Sequence, residues 1–111
     1  MNNNLVLPHI IDGLNELSSK KLQTKFWLFG GTHGISSFTE AICGIYDDGG
    51  VTRALDRGSL QEPLLTLFKE LSTLLKEIPE NTSQEEIMSH PTMESVKKIS
   101  LELLKFLQSG Y

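Results

Sequence analysis

Three Ser-x-x-Glu tetrads punctuate the chain, at Ser37–Glu40, Ser59–Glu62 and Ser83–Glu86. Each is the signature of a capping box. The serine hydroxyl accepts from the N–H three residues on, and the glutamate reaches back to the serine N–H. The motif makes sense only where a helix begins, because the first four N–H groups of a helix have no partner within it. Three such starts in 111 residues leave little room for anything but helices.

The apolar spacing agrees with those starts. Behind Ser59, residues Leu60, Leu64, Leu67, Phe68, Leu71, Leu74, Leu75 and Ile78 fall on one stripe, with Lys69 and Lys76 opposite and Pro79 ending the run. Leu65 lies off that stripe and hints at a second contact. Behind Ser37, Phe38, Ala41, Ile42, Ile45 and Tyr46 share one arc. Ser83 opens one or two turns around Ile87 and Met88. Near the N-terminus Pro8 suits a first helical turn, with Ile10, Ile11, Leu14 and Leu17 on one side and Gly13 weakening the helix. A second segment follows Ser18–Ser19 and stops near Gly30–Gly31. It carries Phe26 to Phe29, with Trp27 expected in the core. A short stretch runs from Val51 to Arg57 and ends at Gly58. The last helix starts near Pro91–Thr92 and reaches about Gln108, with Gly110 beyond its end. Its apolar set, Met93, Val96, Ile99, Leu101, Leu103, Leu104, Phe106 and Leu107, covers more than half the circumference, which predicts a central helix. With no alternating segment, repeat or linker, residues 1–111 read as one compact all-α domain of about five or six antiparallel helices joined by short loops.

Size and composition bound the function. Hydrophobic residues are 39% of the chain and charged residues 22%, enough apolar surface for a core. The single cysteine, Cys43, has no internal partner for a disulfide, which suits a reducing, cytoplasmic setting. No apolar run approaches the ~20 residues a membrane span needs, and the start has no basic n-region or long h-region of a secretion signal. The formal charge of −4 argues against direct nucleic-acid binding, which needs clustered Lys and Arg. The acids form two blocks. Residues 37–62 hold five acids against Arg53 and Arg57; residues 77–94 hold five and no Lys or Arg. Such blocks either solvate a face or steer a basic partner.

Chemical readings of the polar residues are weak. Glu40 and Asp47 lie seven residues apart, on one helix face but roughly 10 Å apart along the axis, too far to share one ion. "YDDGG" lacks the spacing of a calcium loop. Cys43 is expected as a small packed residue. His9, His33 and His90 are scattered, and "GGTHGIS" around His33 is neither a P-loop nor a dinucleotide fingerprint. No motif requires a metal or a cofactor, and no catalytic constellation emerges. "DDGG" at 47–50 has two readings: a corner between helices, with Gly49 or Gly50 left-handed and Asp48 capping the next helix, or acids held rigidly for a partner's Lys or Arg.

Trp27–Leu28 followed by "SSFTEAICGIYDDGGVTRAL" resembles a segment of small bacterial immunity proteins, the antidotes paired with toxins of contact-dependent growth inhibition and related polymorphic toxin systems. The matching features are Ser36–Ser37–Phe38, Glu40, Tyr46–Asp47–Asp48, Gly50 and Ala54–Leu55, within about residues 26–58. The resemblance implies a cytoplasmic, non-enzymatic protein that binds a toxin's C-terminal domain, often a basic nuclease, and blocks its active site. Under that reading the contacts are Glu40, Asp47, Asp48 and Asp56 from the first block, and Glu77, Glu80, Glu85, Glu86 and Glu94 from the second. The competing reading is a helical adaptor or regulatory subunit with an apolar groove for a partner helix or tail.

Overall fold

A computed structural model describes residues 5–28 and 36–109. Among them are seven α-helices and no strand: α1 Leu7–Ser18, α2 Lys20–Gln23, α3 Phe38–Cys43, α4 Val51–Arg57, α5 Leu64–Lys76, α6 Gln84–Met88 and α7 Met93–Gln108. Two π-helical turns extend α2 over Thr24–Leu28 and α3 over Gly44–Asp48. The helix count exceeds the expected five or six because the short stretches at 51–57 and 84–88 are complete helices. The Cα radius of gyration, 13.4 Å, matches the ~13 Å of a single domain this long.

Two of the three tetrads start helices as read, through the serine arm of the box alone and without the glutamate reaching back. Ser37 Oγ accepts from Glu40 N–H at 3.1 Å, and Ser83 Oγ accepts from Glu86 N–H at 3.1 Å. Ser19 caps α2 in the same way. The Ser59 tetrad does not open a helix. The N–H of residue 63 would have to bond the Ser59 carbonyl, but residue 63 is proline, which lacks an N–H and disfavours helical backbone at Glu62. Ser59 instead completes the end of α4. Gly58, at φ 65°, donates to Leu55 O, and Ser59 N–H donates to Ala54 O at 3.0 Å, the paired bonds of a Schellman ending. Then α5 starts at Leu64, and the Glu62 carboxylate accepts from Thr66 N–H at 3.1 Å. Leu60 stays buried without being helical.

The core lies where α1, α3, α5 and α7 meet. The long helix α7 packs on both α1 and α5, and the other side of α1 receives α3 and its π turn. That arrangement buries Ile10, Leu14, Leu17, Phe38, Ile45, Phe68, Leu71, Val96 and Leu103 completely. Trp27 is in the core as expected, its indole N–H donating to Glu16 Oε1 at 2.9 Å and its ring edge-on to Phe38. Leu65 packs half-buried against the core. The apolar surface of α7 is narrower than its sequence implies. Leu101 is 48% exposed, because at 3.6 residues per turn it falls about 120° outside the stripe of Val96, Leu103 and Leu107. The buried slot on that stripe is held by Ser100, whose hydroxyl has no hydrogen-bond partner.

Two glycines set how closely α1 and the α3 region approach. A Cβ at Gly13 would lie 2.6 Å from Ile45 Cγ1 and 2.8 Å from the Ala41 carbonyl oxygen. One at Gly49 would lie 2.5 Å from Ile10 Cγ1 and 2.5 Å from the Ile45 carbonyl oxygen. Gly13, which costs helix propensity in isolation, is therefore the contact that lets α1 seat on 41–45.

Candidate functional site

The Asp47–Asp48 corner is built by its glycines. The π turn ends at Asp48, buried Gly49 presses on Ile10, and Gly50 turns the chain at φ 86°, as one of the two glycines was expected to. Val6 N–H donates to Gly49 O at 2.9 Å and fixes the corner to the start of α1. Asp48 does not cap α4: the N-cap is Gly50, and no side-chain cap bond forms. The Asp47 and Asp48 side chains point to solvent. Nor do Glu40 and Asp47 share one regular helix face, because the π turn changes the register between them.

All nine acids singled out from the sequence are exposed. The structure draws four of them together. Thr39 Oγ1 donates to Glu80 Oε1 at 2.8 Å and Phe38 N–H donates to Gln84 Oε1 at 3.0 Å, so the segment after α5 is tied to the start of α3. A groove of about 470 Å³ runs between these segments, with Asp56, Glu80 and Lys76 in its walls and Ile42, Leu55 and Leu75 among its apolar lining. A smaller depression beside it, about 320 Å³, contains Asp47, Asp56 and Arg53. Cys43 reports the local field. Partial burial, then the charge of and a hydrogen bond to Asp47, then Glu80 and Asp48, all push its thiol above the usual cysteine range. Carboxylates from both acidic blocks thus surround one cysteine.

The remaining acids sit elsewhere or have local partners. Glu77 accepts from Thr92 Oγ1 at 3.2 Å. Glu85 and Glu86 occupy the first turn of α6, where the helix dipole favours negative charge. Glu94 lines a separate depression with Lys20, which is distant in sequence, and Lys97, one turn further along α7, so two bases share that end of the second block. No family model, curated protein or solved structure matches this chain. The function must therefore be argued from the side chains themselves.

One placement differs from expectation, and one residue does more than its place in the arc implied. Cys43 is exposed rather than packed, because α3 turns that flank outward; its raised thiol pKa keeps it protonated at neutral pH, the poorly nucleophilic form. Tyr46, read only as part of an apolar arc, also donates from its buried hydroxyl to Phe68 O at 2.8 Å and meets the Phe68 ring edge-on, joining the corner to α5. Among the histidines, His90 Nδ1 accepts from Thr92 N–H in the turn before α7, His9 is exposed, and His33 lies outside the described residues. Gly30–Gly31 and Gly110 lie outside them too. Among the described residues, no group of three or more His, Cys, Asp or Glu is placed to hold a metal ion, and no helix is long and apolar enough to cross a membrane.

Proposed function

We propose that the chain is an immunity protein that works in the cytoplasm by binding the C-terminal domain of a cognate toxin, a basic nuclease domain, and covering its active site. Binding rather than turnover is its function. The observation that carries this reading is the meeting of the two acidic blocks. Asp47, Asp48, Asp56 and Glu80 come from segments far apart in sequence and lie about one exposed patch on a stiff helical corner. A nuclease is basic where it holds phosphate, so a fixed acidic patch competes for that surface and speeds encounter. Presentation on a packed corner also limits the side-chain ordering lost on binding.

The reading requires a toxin gene beside this one, and calorimetry against the C-terminal domain of that toxin tests it. Asp47→Lys and Glu80→Lys are expected to weaken binding by roughly 10- to 100-fold each, mainly through faster dissociation, whereas Glu94→Lys stays near wild type. Wild-type affinity in both of the first two variants would sink the assignment.

A second reading has one observation in its favour. A groove of about 570 Å³ runs between α5 and α7, with Leu74 and Ile99 half-buried in it and Lys69 and Lys98 alongside. An adaptor that holds a partner helix would use that face.

A further inference from the structure

The acidic patch differs from a merely solvated charge cluster in having an apolar trench through it. Ile42 and Leu55 are half-buried and Leu75 is buried, and together they line the 470 Å³ groove. Asp56 at the end of α4 and exposed Glu80 after α5 stand in its walls. Lys76 shares the wall, and the adjoining depression adds Asp47 and Arg53. In the trench itself two carboxylates, Asp56 and Glu80, face one cation, Lys76, so the trench is net negative; in the adjoining depression Asp47 and Arg53 balance.

We infer that this groove receives an arginine side chain of the basic partner. The inference rests on the function proposed above and names its anchor. Arginine has the matching anatomy: an apolar stem to lie on Ile42 and Leu55, and a planar head that pairs with carboxylates in two parallel hydrogen bonds. Its guanidinium is also more weakly hydrated than an ammonium, so it enters a half-apolar trench at lower desolvation cost. The acids supply approach and orientation; the apolar lining supplies the close packing that slows escape.

The whole chain, labelled with ¹⁵N, is titrated with a short leucine-arginine peptide and with the same peptide carrying citrulline, which keeps the shape and removes the charge. Amide shifts are expected at Ile42, Thr52, Leu55 and Glu80, with citrulline at least about tenfold weaker. Thr52→Trp fills the groove from an exposed position, and Asp56→Asn removes one charge while keeping the shape. Each is expected to weaken the arginine peptide by about tenfold or more, with the circular dichroism of wild type. Equal shifts from both peptides, shifts confined to the α5–α7 groove, or no shifts at all overturn the inference. Toxin binding separates it from its premise. If Thr52→Trp loses the peptide yet binds the toxin domain like wild type, the anchor is wrong and the immunity function stands. If wild type takes the arginine peptide in the groove but binds no toxin, the immunity function fails and the arginine site remains.

Discussion

At the scale of single residues, Tyr46 does more than fill space. Its hydroxyl is buried and bonded to a carbonyl inside α5, and burial pushes its pKa well above the usual value of 10. A folded-state pKa above the unfolded one favours the native state fully below about pH 10, and that advantage is lost as pH rises beyond it. Tyr46→Phe should cost about 1 kcal/mol at neutral pH by urea unfolding. Its deficit should shrink above pH 10, where only the wild type has a buried tyrosine at position 46 to ionise. Two parallel pH curves would refute the role of burial. The sequence placed Tyr46 on the correct face but held no sign of its partner, which lies 22 positions away on another helix. Cys43 is the opposite case: its neighbours in sequence are apolar, yet one step around α3 carries it from the core to solvent.

At the scale of elements, local chemistry was readable wherever the chain obeyed one rule at a time. Ser37 and Ser83 begin helices, and Gly58 ends one, because nothing nearby opposes them. Ser59 fails because Pro63 withdraws the hydrogen bond its helix needs, a conflict visible in the sequence once the register is counted. Glu62 takes over as the acceptor at the start of α5. The Thr66 hydroxyl, and after it the Thr66 N–H, hold its carboxyl below the usual glutamate value of 4.5. A depressed folded-state pKa gives stability that is present above that value and is lost as pH falls through the folded one. The Thr66 amide resonance should therefore titrate with a midpoint below 4.5, and Glu62→Gln should abolish the step. A midpoint at or above the ordinary glutamate value would show that the carboxylate is not the cap. The over-wide apolar arc of α7 has a different cause. Leu101 matches the hydrophobic count but not the phase, and only the neighbouring helices decide which part of an arc is covered.

At the scale of the whole molecule, the two proposed modes of binding make different demands on salt. Recognition through Asp47, Asp48, Asp56 and Glu80 should weaken steeply as ionic strength rises from about 0.05 to 0.5 M, as the Debye length contracts from roughly 14 Å to 4 Å. Binding in the α5–α7 groove should hardly change. A flat salt profile for toxin binding would favour the adaptor face. Sequence supplied the sign and the two blocks of charge, but not their convergence, because the bond from Thr39 to Glu80 spans 41 positions. It likewise kept Glu94 in the same block as Glu80, since Lys20 is brought beside it only by folding and Lys97 falls just past the end of the block. Gly13 bears on how such a protein can change over generations. The joint it makes with Ala41 and Ile45 has no room for a side chain, while the acids on the outer side of the same region fill no space in the core. Drift can rewrite the charged exterior and leave the joint untouched, so under the function proposed here a lineage is free to switch adversaries without first having to reinvent its scaffold.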